Sequence, residues 1–576
     1  YDAAGRVLEE RQETADYGAQ PVRYRYDARG RLSDTVLPDG RVIAIEYGAE
    51  GDLFAAVSLD GEELARVERD EAGREVARRA GAVRQEQEFD PQGRLVRQSG
   101  VAGGSRAVFA RRYGYDAADQ LVRLADGARG ERTYQYDACE RLLAVGGSAP
   151  ERFVVDPAGN ILARDASAPE GDAAPGDRLL RYRDGGEERA FAYDAWGNRV
   201  RETRAARGAV AAEVAYQYDA GDVLREVRSG GREGGRVTRF GYDALRRRVW
   251  KATARLAAAG VLALGAGAAD AEGQVAAEPP GDAWARTAFV WSGDVLLGES
   301  DRPQMDALAT AYVYEPGSFC PLAVAKRDGS GGGATVYRYH LDHLGTPREL
   351  TTGDGRVAWA AAHQTWGAVL GDSVAVVLQP LRFQGQYADD ETGLHYNRFR
   401  YYNPREGRFL QQDPVRLAGG MNLGAYTPNP TSWVDPLGLA PCGFDGSGRP
   451  LDSDKYSVVY EAKLDRGTHF PGRSDRAHFQ ESNRQLHNAM QSDPKFAASL
   501  EAQYPGITKG VAPGPRGAHS RSAPIGGDDG LTWHHHPDRE GVMQLVPMSQ
   551  HRAPGPVQGS LHPGQRGGME NWGGGR

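Results

Sequence analysis

The chain has 576 residues, 40% of them apolar, and a net charge of −8. Its length exceeds one ordinary domain, its mean hydropathy of −0.58 is that of a soluble globular protein, and its acidic balance excludes a surface that coats nucleic acid throughout. Glycine, at 76 residues, is nearly twice the usual share of about 7%, which signals many turns and a β-rich fold.

Cys139, Cys320 and Cys442 lie too far apart for a metal-ligand spacing and build no disulfide framework. No run of about 18 apolar residues spans a membrane. Tyr1 begins in mid-motif without a Met, so the chain is expected to be a piece of a longer protein.

Over the first 250 residues one pattern recurs: aromatic-Asp-x-x-Gly-Arg-Leu. Tyr26-Asp27-Ala28-Arg29-Gly30-Arg31-Leu32, Phe89-Asp90-Pro91-Gln92-Gly93-Arg94-Leu95 and Tyr193-Asp194-Ala195-Trp196-Gly197-Asn198-Arg199 carry it. Weaker copies stand at Asp2, Asp70, Asp116, Asp137, Asp156, Asp219 and Asp243. A period in this range marks a repeat architecture. Asp-x-x-Gly is a turn, and flanks such as Val22-Arg23-Tyr24-Arg25-Tyr26 alternate as strands do. Each repeat is then a β-hairpin that cannot bury its apolar face alone, so neighbours stack into a long antiparallel sheet. Residues 252–285 break the pattern and read as a low-complexity insertion or loop.

About ten such motifs in register resemble the YD repeats of the Rhs and Tc-toxin C-subunit families, over roughly residues 1–440. The resemblance implies a mostly β fold, a YD-repeat antiparallel sheet coiled into a hollow shell around a small α+β C-terminal toxin domain. The expected domains are a shell over 1–336, a core-associated domain over 337–439 and a toxin over 440–576.

From Tyr337 specific motifs crowd together. Tyr337-Arg338-Tyr339-His340-Leu341-Asp342-His343-Leu344-Gly345 is one, and Gln384-Gly385-Gln386-Tyr387 leading to His395-Tyr396-Asn397 and Arg400-Tyr401-Tyr402 is another. Both resemble the Rhs core signature. His340, His343, His363 and His395 read as packed among aromatics rather than as a metal site. Two Asp-Pro dipeptides follow, at Asp413 and Asp435. On spacing alone they are two turns, or a facing carboxylate pair in which one group holds a proton while the other activates water. The ending Asp435-Pro436-Leu437-Gly438-Leu439 resembles the Rhs autocleavage site. This resemblance implies cleavage between Leu439 and Ala440, with Asp413 and Asp435 as an aspartic-type acid/base pair.

Beyond Leu439 the repeats stop, and Gly443 to Asp454 reads as a linker. From Pro441 on the charge is near +1, so nucleic-acid contact must come from local clusters. Arg476 to Tyr504 shows helical spacing, with a restart at Asp493. His469, His478 and His487 there read as surface or packing residues. Arg516, His519 and Arg521 occupy a loop that is either solvated or phosphate-contacting. Leu531 to His534 and Val542 to Val546 read as two strands around a turn, with Pro547 starting a helix that holds His551. Five histidines, His534, His535, His536, His551 and His562, fall within 29 residues. Imidazole ligates metals and titrates near neutral pH, as a metal-assisted hydrolase requires.

The Trp-His-His and Leu-Val-Pro-x-x-x-His motifs resemble the WHH branch of the HNH/endonuclease VII superfamily. That resemblance implies His535 as general base and His534, His551 and His562 as ligands of a divalent ion, Mg²⁺ or Zn²⁺. The run of three histidines leaves open a shifted frame with His536 as base and His535 at the metal. Arg539, Arg552 and Arg566 are candidate phosphate contacts. The expected function is a secreted interbacterial effector that releases a DNase into a target cell's cytoplasm. Its expected partners are DNA, a cognate immunity protein, and a type VI secretion spike and chaperone reached through a missing N-terminal part. Two alternatives stand beside it: a repeat adhesin with an inert metal-binding tail, and the same toxin acting on RNA.

Overall fold

The computed structural model describes residues 1–548 except 15–16, 49–52, 166–170, 185, 207–208, 232–233, 257–278, 302–307, 328–332, 417–421, 440–441, 444–458, 472, 493–495, 498–499, 502–503, 516, 527–529 and 537–539. The chain forms two compact units, Tyr1–Arg449 and Pro450–Arg576.

The first unit is built on one sheet of 31 strands, from β1 (Glu9–Thr14) to β31 (Val369–Ala375). Neighbours in sequence pair antiparallel nearly throughout; the exception is β15 (Ile161–Arg164), which runs parallel to β17 (Arg178–Asp184). The expected boundary at 336/337 falls inside β28 (Ala334–Leu341), so the sheet continues past it for three further strands. The expected break at 252 is also too early. β23 (Arg248–Leu256) continues beyond it and pairs with β24 (Ala285–Ser292), while 257–278 lie outside the described residues.

The repeat motif explains itself in hydrogen bonds. In Asp90 to Arg94, Asp90 Oδ1 accepts from the amides of Gln92 and Arg94, and Oδ2 accepts from Arg94 Nε at 2.7 Å. Gly93 sits at φ +86°, where an L side chain is strained. The arginine then covers the next repeat's aromatic ring, Arg94 over Tyr115 at 5.0 Å, and the Tyr115 hydroxyl donates back to the Leu95 carbonyl. The same clamp recurs in other motifs that keep the arginine, as in Arg6 over Tyr26 and Arg31 over Tyr47.

The sheet winds back on itself. Gln12 of β1 donates to the Trp291 carbonyl of β24, Arg111 of β10 (Arg106–Tyr115) pairs with Glu349 of β29 (Pro347–Thr351), and Arg132 of β12 (Gly130–Tyr136) donates to the His363 carbonyl of β30 (Val357–His363). One circuit therefore takes roughly twenty strands. At about 4.8 Å per strand that is a circuit of about 100 Å and a diameter of about 30 Å, three times the separation of two packed sheets. The sheet is a hollow shell rather than a sandwich.

Against the shell wall packs a four-stranded sheet of β32 (Tyr387–Asp389), β33 (Leu394–Asn397), β34 (Arg400–Asn403) and β35 (Arg408–Phe409). Its Tyr387, Tyr396 and Tyr401 join one core with wall residues such as Tyr216 and Phe289, while Tyr402 and Phe409 join another with Tyr134 and Phe191. Buried ion pairs fasten it: Arg199 to Glu406, and Arg248 and Lys251 to Asp389.

At the end of the first unit two short strands pair, β36 (Trp433–Val434) and β37 (Cys442–Gly443); in the second unit β38 (Tyr460–Lys463), β40 (Val542–Pro547) and β39 (Leu531–His535) form a three-stranded antiparallel sheet. Helix α1 (Asp475–Ser492) buries His478, Ser482, Asn483, Leu486 and Met490, residues at helical spacing. A short α2 (Ile507–Val511) completes the core of this unit with Leu486, Met490, Ile507, Trp533 and Met543.

Candidate functional site

The segment ending at Leu439 is held by the end of β33 and the turn that follows it. Asn397 Nδ2 donates to the Asp435 carbonyl at 2.8 Å, and the Phe399 amide donates to the Leu437 carbonyl at 3.1 Å. The Leu439 amide donates to Asp435 Oδ1 at 3.0 Å, closing the turn over its own carboxylate. Pro436 lies against Gly385, where an added Cβ would stand 1.9 Å from the Pro436 carbonyl oxygen. The Gln384-Gly385-Gln386 motif is therefore a floor for this turn.

Asp413 and Asp435 meet at Arg400. One guanidinium nitrogen, Nη2, reaches Asp413 Oδ2 at 2.8 Å and Asp435 Oδ2 at 3.2 Å. The other nitrogens are also occupied: Nε donates to the Gly438 carbonyl at 2.5 Å, and Nη1 to the Leu423 carbonyl at 3.1 Å. The arginine stacks on Phe409, 3.7 Å from the ring centroid. Asp413, Asp435 and Arg400 are 3%, 0% and 2% exposed. Burial pushes the Asp413 carboxyl up to about 6 and also raises Asp435, and the attraction of Arg400 offsets only part of this. With two carboxyl groups and one fixed cation, the cluster is neutral when one carboxyl carries a proton. That is the state a dry site favours and the one an acid/base pair uses.

Arg400 had no role in the sequence reading. Its signal was an arginine in a run of aromatics, Phe399-Arg400-Tyr401-Tyr402; such a side chain, once buried, requires a carboxylate. Ala440 lies outside the described residues.

In the second unit the hairpin pairs His534 with Gln544 and His535 with Met543. Strand alternation separates the three histidines. Trp533 and His535 face α1, and His534 and His536 the opposite side. Trp533 Nε1 donates to Asn483 Oδ1 at 2.9 Å, and Asn483 Nδ2 donates to the carbonyls of Ser520 and Ser522. His535 Nε2 lies 2.8 Å from His478 Nδ1, and His478 Nε2 lies 3.0 Å from the His469 carbonyl. All three ring side chains, His534, His535 and His536, are buried.

The other expectations fare unevenly. Pro547 is the last residue of β40 and Met548 directly after it is helical, so a helix opens at this point as expected; the rest of that helix with His551 lies outside the described residues, as do His562, Arg539, Arg552, Arg566 and Arg516. Among the described residues no group of three His, Cys, Asp or Glu stands together as a metal site, so His534 is the single expected ligand whose surroundings are seen. His519 Nδ1 donates to the Val511 carbonyl and Arg521 to Gln480, so the described part of the expected phosphate loop is fastened to its own helices. Of the two readings of His478, surface or packing, burial selects packing: it is fully buried in contact with His535. His340, His343, His363 and His395 each pack on an aromatic ring: Phe109, Tyr113, Trp359 and Tyr402.

Comparison with known proteins agrees with this architecture. Residues 336–372 match the RHS protein family, residues 66–258 the Teneurin YD-shell family and residues 1–42 the RHS Repeat family. The chain is 34% identical over 465 residues to "Double-stranded DNA deaminase toxin A" of Burkholderia cenocepacia, a match covering 76% of this chain and 30% of that protein. It is 28% identical over 407 residues to "Probable deoxyribonuclease RhsA" of Dickeya dadantii, covering 69% of this chain and 26% of that protein. The chain thus spans about a third of the length of the curated relatives it matches. Its fold resembles a chain of the Tc holotoxin pore of Photorhabdus luminescens with a TM-score of 0.50 and 15% identity, over 76% of this chain and 22% of that one.

Proposed function

We propose that this chain is the shell and toxin portion of a secreted interbacterial effector. The first unit cuts the chain after Leu439 and so frees a metal-dependent endonuclease that degrades target-cell DNA. The observation that carries the reading is the buried Asp413–Arg400–Asp435 cluster wrapped by the turn that ends at Leu439. An adhesin has no use for such a cluster at the junction before its tip. In the cleavage step one carboxyl gives its proton toward the leaving amide nitrogen of Ala440 while the other, as carboxylate, takes a proton from the attacking water. Burial of the pair keeps its proton affinity high.

The names of the relatives, a double-stranded DNA deaminase toxin and a probable deoxyribonuclease, support a toxin directed at DNA. Those names differ in chemistry while the matched share is similar, so the tip's chemistry rests on its own residues. His535 is the base that takes a proton from water at the scissile phosphate. His534, His551 and His562 would hold a divalent ion, Mg²⁺ or Zn²⁺, which would act as a Lewis acid on the phosphate. Arg539, Arg552 and Arg566 would hold flanking phosphates. A cognate immunity protein is required in the producer, and delivery by a type VI spike with a chaperone would use regions outside this chain.

The test is denaturing gel analysis with intact mass of the purified chain beside Asp435→Asn. The expected result is a fragment of about 15 kDa starting at Ala440, the share of the 62.2 kDa chain in residues 440–576, present only in the wild type. Plasmid digestion with added Mg²⁺, lost in His535→Ala, tests the nuclease. An uncut wild-type chain would sink the self-cleavage reading, and digestion of RNA alone would replace DNA as the substrate.

A further inference from the structure

We propose that His478 is the positioning residue for His535: it holds the imidazole proton of His535 on Nε2 and so makes Nδ1 the atom that acts on water. The inference rests on the nuclease reading for its function, but its geometry stands by itself.

The assignment follows from counting protons along one chain of contacts. The His469 carbonyl can only accept, so the 3.0 Å contact to it requires that His478 carry its proton on Nε2. A neutral imidazole with a proton on Nε2 has a lone pair on Nδ1. His478 Nδ1 therefore accepts, and the proton in its 2.8 Å contact belongs to His535 Nε2. His535, neutral and protonated on Nε2, has its own lone pair on Nδ1. Above about pH 6.5 an imidazole is ordinarily neutral, the form that this count needs.

The anchor at the far end is rigid. The His478 amide donates to the Ser474 carbonyl in the first turn of α1, and the Asp465 amide donates to His469 Nδ1, fixing the loop whose carbonyl closes the chain. Two hydrogen bonds at opposite ring nitrogens leave His478 no freedom to rotate. Phe479, from the same helix turn, packs beside His535 with centroids 6.3 Å apart. A base whose tautomer wanders presents its lone pair to water only part of the time. Partners that orient a functional histidine through its other nitrogen are commonly worth about 10–100-fold.

The experiment uses the full chain labelled with ¹⁵N at its 13 histidines, with His535 assigned from its own substitution. In the wild type, His535 should show a protonated Nε2 and an unprotonated Nδ1. His478→Leu removes the acceptor and should give a mixture of tautomers, with kcat on plasmid DNA down by about 10–100-fold and KM little changed. His478→Asn places its amide oxygen near the lost Nδ1 and should keep both the tautomer and kcat within a few-fold. A wild-type His535 protonated on Nδ1 overturns the proposal whether or not the variants fold. Equal losses in the Asn and Leu variants also overturn it, because a packing role would give that result. A wild type that cuts no nucleic acid would instead refute the nuclease reading and leave the ring signals to decide the positioning.

Discussion

Asp413 and Asp435, 22 residues apart in the chain, share a single nitrogen atom, Nη2 of Arg400, at 2.8 and 3.2 Å. A pair of carboxyl groups arranged around one cation differs from a pair that simply faces itself. The cation sets the net charge of the buried site, so exactly one proton restores neutrality. It also ties the pair to the carbonyl of Gly438, the residue before Leu439.

Removing the cation should therefore cost more than removing a carboxylate as well. Arg400→Met leaves two buried acids with nothing to neutralise them, and it should destabilise the first unit by about 3–5 kcal/mol and abolish cleavage. Adding Asp435→Asn to Arg400→Met removes one of those acids and should restore part of the loss, so the double variant is more stable than the sum of the singles predicts. Urea unfolding followed by tryptophan fluorescence measures both. Strictly additive losses would mean that Arg400 acts through packing on Phe409 alone.

Cleavage should be an acid-limb reaction. Burial raises Asp413 to about 6 and raises Asp435 as well, so the singly protonated state is populated below that pH and drained above it. Uncut chain, recovered from inclusion bodies and refolded into buffers between about pH 5 and 8, should cleave progressively more slowly as pH rises through about 6. A rate that climbs with pH over the same window would show that the fully ionised pair is the active form.

The turn at the junction depends on a residue 50 positions before it. Gly385 has φ +76°, and a Cβ there would stand 1.9 Å from the Pro436 carbonyl oxygen. Backbone cannot give way as a side chain can, so Gly385→Ala should displace the 435–439 turn and slow cleavage at least tenfold. The left-handed backbone adds a strain of about 1–2 kcal/mol. Band intensities over a refolding time course would show this. Normal cleavage in Gly385→Ala would mean that the turn does not need this floor.

The repeat motifs made most of the shell legible before any coordinates, because each carries its own physics. Asp90 closes its turn on Arg94, and Arg94 covers the ring of the next repeat, so sequence spacing maps directly onto strand order. Long-range closure was not legible. Nothing local to Arg111 announces Glu349, 238 residues away, and the approach of Pro436 to Gly385 is visible only once both turns are placed. The histidine hairpin was readable as two strands from its alternation. The helix start at Pro547 is legible too, because proline fits the edge of a helix: the strand ends at Pro547 and Met548 is helical. His478 was passed over because a lone histidine on a helix face is usually packing. Its meaning appears only when His535 comes within 2.8 Å.

The wall of the shell should weaken below neutral pH through histidines that are buried uncharged. His340 is fully buried, bonded through Nε2 to Thr351 Oγ1 at 2.9 Å and packed on Phe109, and burial lowers it to about 4. The sign follows from proton uptake. Between pH 6.5 and 4 the unfolded chain gains a proton on this ring and the folded one does not, so stability is complete above the unfolded value and is lost as pH falls through that window. A shift of this size is worth about 3 kcal/mol for His340 alone. His343, bonded to the Thr431 carbonyl, and His363, facing Arg348, are also lowered by burial and act in the same direction. Urea midpoints measured from about pH 7.5 down to 4.5 should fall steeply for the wild type. His340→Gln, which keeps a polar partner for Thr351 without a titrating ring, should be less stable at pH 7.5 but show a shallower slope. Parallel slopes for the two chains would mean that other groups govern acid unfolding of the shell.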